Sequence, residues 1–145
     1  MKTQNFLAFA CLLCLAGIPA PPAGAADRDA LEAVRQKFAA FNRHDADAIE
    51  RLYADNAALH SPDYPDLGGN RPIADTYRKI FAAIPDAEDR ITSIERAGSH
   101  VYVQFILAGH VGGAPDKPVS VRLISVYTLK NDRIVEDDTY YDRKT

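Results

Sequence analysis

The end of the chain holds two β-prone runs rich in Val, Ile, Tyr and Thr, Val119–Lys130 and Arg133–Asp142, with only Asn131-Asp132 between them. Both linking residues tolerate positive φ, so the spacing predicts a long β-hairpin closed by a tight turn. A hairpin of this length is not stable alone. It needs further strands beside it and a layer to cover its apolar face, and this requirement constrains everything upstream.

Upstream, period-two alternation predicts a strand over Arg90–Ala97. A turn at Gly98-Ser99 leads into a second strand, in which Val101, Val103, Phe105 and Leu107 alternate with Tyr102, Gln104 and Ile106 as far as about His110. Before Pro85 the period is helical. Leu31, Val34, Phe38 and Phe41 form one stripe over Asp27–Arg43, and Asp45 is a natural N-cap for a helix over Ala46–Tyr53. A short strand is expected at Ala57–His60, then a loop over Asp63–Asn70. Pro72 then suits the first turn of a third helix running to about Ala83. Three helices followed by an antiparallel sheet make an α+β domain with the helices on one face.

The chain opens on Lys2, an uncharged apolar run from Phe6 to Ile18 and the small residues Ala23-Gly24-Ala25. This pattern predicts a secretory signal peptide over residues 1–25, a domain over 26–145 and a periplasmic or secreted product. Both cysteines, Cys11 and Cys14, lie in that segment, so the mature domain relies on its core without a disulfide. Removing the segment takes away Lys2 and no acid, which moves the net charge from −3 to −4. A mildly acidic domain without a basic run excludes nucleic acid and, once the signal is cleaved, a membrane surface as expected partners. Small molecules and proteins remain.

Phe38-Ala-Ala-Phe-Asn-Arg-His-Asp45 with Ile49-Glu-Arg-Leu-Tyr-Ala-Asp55, then Leu59-His-Ser-Pro62, Gly69-Asn-Arg-Pro-Ile73, Arg133-Ile-Val-Glu136 and Tyr140-Tyr141-Asp142, together resemble the SnoaL-like (polyketide cyclase-like) branch of the NTF2-like superfamily, in its order. The resemblance implies a cone, with three N-terminal helices packed in a strongly curved, mostly antiparallel sheet. It also implies an apolar pocket for a small molecule, no cofactor, and a homodimer through the sheet. Where the ketosteroid-isomerase-like members carry their catalytic Tyr and two Asp residues, this chain has Lys37, Ser61 and Ser125. Where the hydrolase-like and cyclase-like members carry a last-strand Asp, it has Thr139. A serine hydroxyl is no general base without activation, so the known catalytic sets are absent.

The resemblance and the residue types make Phe41, Tyr53, His60, Tyr64, Tyr77, Arg122, Ser125, Asp137, Thr139 and Tyr141 the candidate pocket residues, with His60 and Asp137 the candidates for catalysis. His60 sits at a strand end and has a pKa suited to acid–base work near neutral pH. Asp137 and Asp138 point to opposite faces of the last strand, and register decides which is inward. A simple two-residue loop pairs Ser125 with Asp138. A bulged loop pairs it with Asp137 or Thr139. By analogy Asp137, Thr139 and Tyr141 are placed inward. Arg122 either meets a ligand from inside or forms a surface cross-strand pair. The loop from Ser61 to Asn70 is expected to form the rim, and Asp142 to anchor the strand end. No two of His44, His60, His100 and His110 have metal-ligand spacing, so no metal site is expected. Three functions follow: a binding domain without turnover; an isomerase, cyclase, hydratase or hydrolase using His60 with Asp137 or Asp142; or an interaction domain whose pocket is filled.

Overall fold

The computed structural model describes residues 23–141. In chain order it contains α1 (Ala23–Asn42), α2 (Ala46–Leu52), β1 (Tyr53–Ser61), β2 (Tyr64–Gly68), α3 (Asn70–Ala83), β3 (Glu88–Ala97), β4 (His100–His110), a short 3₁₀ turn (Val111–Gly113), β5 (Pro118–Lys130) and β6 (Arg133–Tyr140). The six strands form one mixed sheet in the order β2-β1-β6-β5-β4-β3. β1 and β6 run parallel, and every other neighbouring pair is antiparallel. The three helices pack on one face of this sheet, as the α+β reading requires. Of the expected signal segment only Ala23, Gly24 and Ala25 fall within the described residues, where they begin α1. No helix among the described residues is long and apolar enough to cross a membrane.

The core forms where the helical stripe meets the inward residues of the strands. Val34, Phe38 and Phe41 from α1, Ile49 from α2 and Ile73 and Tyr77 from α3 meet Val101, Val103, Phe105, Leu123, Tyr127 and Ile134 from the sheet. Phe38 packs edge-on against Phe105 with 4.9 Å between ring centroids. Asp45 caps α2 as expected, accepting a hydrogen bond from the Ala48 amide at 2.8 Å.

Two expectations need correction. The segment expected to be a loop over Asp63–Asn70 contains β2, which pairs Ala58 with Gly68 and Leu59 with Leu67. Its short, polar sequence reads as a turn, but folding back on β1 gives its backbone groups partners. β1 begins at Tyr53, where α2 ends, and not at Ala57. Its first residues are irregular, with the register shifting between Tyr53 and Ala58.

The closing hairpin selects among the registers that the sequence left open. Asn131 and Asp132 both adopt positive φ, at 51° and 59°, and Lys130 pairs with Arg133 across a two-residue turn. The register then shifts, so that Leu129 faces Ile134 while Thr128 faces Glu136. Turn and bulge therefore occur together, and Ser125 pairs with Thr139 instead of Asp138. This one extra residue sets which face each acid of β6 occupies.

Candidate functional site

A cavity of about 310 Å³ opens between α1 and α3 on one side and the inward face of the sheet on the other. Phe41, Ile80 and Ile84 form its helical wall, and Leu107, Val119, Val121 and Leu123 its sheet wall. Tyr64, Asp63 and Tyr141 sit on its lining too, and the Tyr141 hydroxyl donates to the Asp63 carboxylate. The polar groups within are few: Lys37, Asp89, Thr76, Tyr77, Ser61 and Thr139.

Lys37 lies in the middle of the apolar stripe of α1 and is only 3% exposed. Its ammonium sits 4.5 Å from the centroid of Phe38 and 5.0 Å from that of Tyr77, with Phe41, Tyr127 and Phe105 within 6.0 Å. It forms no ion pair among the described residues. Burial works against its charge, but Tyr127, Tyr77, Asp89 and Asp137 surround it and raise its pKa well above the ordinary lysine value. Lys37 is therefore cationic at neutral pH.

Asp89, on the inward side of β3, is 4% exposed. Its main chain is held from both sides by Asn42, whose Oδ1 accepts from the Asp89 amide at 2.8 Å and whose Nδ2 donates to the Asp89 carbonyl at 2.9 Å. The carboxylate makes no such use of the protein, because Oδ1 is buried without a hydrogen-bond partner. Burial pushes the Asp89 carboxyl up to about 6, with Lys37 pulling it down and Asp137 pushing it further up.

Asp137 is the better satisfied acid. It is 1% exposed, accepts from the Tyr53 hydroxyl at 2.6 Å through Oδ2 and from Thr139 Oγ1 at 3.2 Å through Oδ1. Burial raises its pKa, while Lys37 and these two hydrogen bonds lower it. The Tyr53 hydroxyl also lies 3.3 Å from that of Tyr77, whose pKa burial lifts to about 12. Behind them the Ser125 hydroxyl bonds that of Thr139 at 2.5 Å. Of the residues singled out from sequence, Phe41, Tyr64, Tyr77, Thr139 and Tyr141 thus line the cavity. Tyr53, Ser125 and Asp137 form a buried network beneath it. Asp142 lies outside the described residues.

His60 and Arg122 lie elsewhere. Leu59 faces Asp137 across the parallel β1–β6 pair and both are buried, so the next pair, His60 and Asp138, points to the opposite face. There His60 Nδ1 pairs with Asp66 at 2.8 Å, and that bond, with Asp138 and Glu136 nearby, raises its pKa. An imidazole nitrogen of His60 and one oxygen each of Glu136 and Asp138 lie within 4.8 Å of one another, the grouping among the described residues best placed to hold a metal ion. Linear spacing gave no hint of it, because pairing of distant strands creates it. Arg122 is exposed on the same outer face, since its neighbours Val121 and Leu123 take the inward positions. It therefore does not meet a ligand from inside the cavity.

Lys37 and Asp89 were missed as site residues. Lys37 was visible as the one charged residue in line with Ala30, Val34 and Phe41. Asp89 was hidden in the charged run Glu88-Asp89-Arg90, but it shares the inward parity of Ile91.

The model of the SnoaL-like domain matches residues 34–137. None of the curated proteins matches the sequence. Among solved structures, a hypothetical protein from Catenulispora acidiphila with a ketosteroid isomerase-like fold, in complex with trimethylamine, is 26% identical. That match covers 77% of this chain and 85% of the other, with a TM-score of 0.71. An epoxide hydrolase of the LEH-like kind from M. tuberculosis is 20% identical over 81% of this chain and 85% of its own, also with a TM-score of 0.71. A candidate SnoaL-like polyketide cyclase from Jannaschia sp. CCS1 is 18% identical, covering 87% and 92%, again with a TM-score of 0.71.

Proposed function

The chain belongs to the SnoaL-like domain family, and we propose that it binds a small, largely apolar molecule in the cavity between its helices and its sheet, without the catalytic set of characterised relatives. The observation that carries this reading is the cavity itself. Its roughly 310 Å³ are walled by aliphatic and aromatic side chains and contain one small group of polar atoms. This is the composition of a ligand site, at the small end of the usual range. A domain filled by its own side chains would not leave this space.

Where relatives carry catalytic acids, Ser61 and Thr139 offer hydroxyls to the cavity and Ser125 is engaged by Thr139. The alternative in which His60 acts with Asp137 lacks its geometry, since the two lie on opposite faces of the sheet. Export through residues 1–25 and a homodimer belong to the same proposal. For the dimer, exposed Tyr102 and Tyr140 on the outer face of the sheet are the support.

Native mass spectrometry of protein purified from its own cells tests the binding reading. We expect a non-covalent adduct in the mass range of a small organic molecule, lost on denaturation. Protein that is free of adduct and gives no response to a library of small apolar compounds would refute it.

One observation favours a second reading, that the site turns its ligand over. Asp89 is a buried carboxyl with a pKa of about 6 beside a buried ammonium, which suits proton transfer near neutral pH. Conversion of the co-purified molecule by the wild type but not by Asp89→Asn would support turnover. Recovery of that molecule unchanged from both would leave binding alone.

A further inference from the structure

We propose that the ligand presents a neutral hydroxyl, on an otherwise apolar body, to Lys37 and Asp89 together. This inference rests on the binding reading above and names the chemistry that the site selects.

The polar groups of the cavity divide into those the protein satisfies and those it leaves open. Asp137 has Tyr53 and Thr139. Asp89 is different, because its backbone is pinned by Asn42 while Oδ1 faces no donor, in a residue 4% exposed. A buried carboxylate oxygen without a donor is costly, and a ligand that supplies one removes that cost. Lys37 lines the same cavity, and no carboxylate oxygen among the described residues pairs with its ammonium. The Tyr77 hydroxyl is its one side-chain hydrogen-bond partner among the described residues. The rest of its surroundings are mostly ring faces, which attract the charge but leave its other N–H groups without a conventional acceptor.

Charge then discriminates among ligand groups. An ammonium ligand would suit Asp89, but it would be repelled by Lys37, which already occupies the aromatic surround that a cation would use. A carboxylate would suit Lys37, but it would enter a pocket holding Asp89 with Asp137 beneath. A hydrocarbon would leave Asp89 Oδ1 and the ammonium as they are. A hydroxyl can donate to the Asp89 carboxyl and accept from the Lys37 ammonium, and it adds no charge. The site is therefore built for a group that both donates and accepts.

Four compounds sharing one ring separate these cases: cyclohexylmethanol, ethylcyclohexane, cyclohexylmethylamine and cyclohexanecarboxylate. Each is titrated into the full chain at neutral pH and followed by ¹H–¹⁵N NMR shifts. Cyclohexylmethanol is expected to bind about tenfold more tightly than the other three, or better, because a site built to hydrogen-bond a hydroxyl rejects analogues lacking it. Asp89→Leu is expected to remove the preference of the alcohol over the hydrocarbon, and the wild-type series decides the matter by itself if that variant does not fold. Equal binding of ethylcyclohexane, or tighter binding of the amine or the carboxylate, overturns the hydroxyl inference and leaves the binding reading standing. No shift with any of the four overturns both.

Discussion

Replacing Asp89 with Asn should stabilise the protein at alkaline pH relative to acid pH, by an amount set by the burial of the acid. The carboxyl has an ordinary value of 3.8 and is pushed to about 6 in the folded chain, facing Lys37 of α1 and Asp137 of β6. Because the folded value is the higher one, the native state keeps a proton that the unfolded chain has already released between those two values. Stability is therefore lost as pH rises through that window, and it stays lost above it. A difference of about two pH units corresponds to about 3 kcal/mol in total. About 1 kcal/mol of this is gone by pH 4.5, so about 2 kcal/mol disappears between pH 4.5 and pH 8. Asn cannot ionise, and any cost of burying its amide is the same at both pH values. Asp137 titrates in both proteins, so its own contribution largely cancels and the difference reports Asp89 together with its coupling to Asp137. Urea unfolding of wild type and Asp89→Asn at pH 4.5 and pH 8 measures it directly. The stability of the variant relative to wild type should be about 2 kcal/mol more favourable at pH 8. An equal difference at the two pH values would refute the claim that burial raises the Asp89 pKa.

Other consequences follow from the same structure. Lys37→Met removes the cation that pulls down the pKa values of Asp89 and Asp137, so stability measured by urea unfolding should fall more steeply than in wild type between pH 5 and pH 8, with part recovered when Asp137→Asn is added. At Gly109 an added Cβ would meet Ile84 Cγ2 at 2.5 Å and the Ala87 backbone at 3.2 Å. Gly109→Ala should therefore cost about 1–3 kcal/mol and displace Ile84 from the cavity wall, visible as changed methyl shifts of that residue. His60→Ala, on the far face of the sheet, should leave ligand affinity unchanged and shift stability by no more than about 1 kcal/mol. A tenfold loss of affinity in that variant would place His60 back in the site.

Local patterns carried the fold well, and the reason is visible residue by residue. The alternation of Val101, Val103 and Phe105, the stripe of Val34, Phe38 and Phe41 and the Asp45 cap are short-range signals, and each produced the element it indicates. β2 escaped because nothing in Tyr64–Gly68 makes a strand by itself; only the neighbouring edge of β1 does so. The pocket was legible in part. Aromatic residues such as Phe41 and Tyr77 reach it because an apolar stripe always faces inward. Polar residues were harder, since a charged side chain reads as solvated unless its neighbours in space are known.

The sequence by itself determined that this chain builds an α+β domain of the SnoaL-like kind, and which residues form the apolar stripe of α1 and the inward rows of its strands. These are properties of residue type and order along the chain. Only the tertiary structure decided which polar groups share a space. One bulged residue in the closing hairpin turns Asp137 inward beside Tyr53, and parallel pairing of β1 with β6 sends His60 out to Asp66. Packing of α1 against β3 and β4 brings Lys37 and Asp89 to one cavity, though 52 positions separate them in the sequence. Strand register and helix docking are long-range outcomes in which a shift of one residue exchanges inside for outside, and no local pattern encodes that choice.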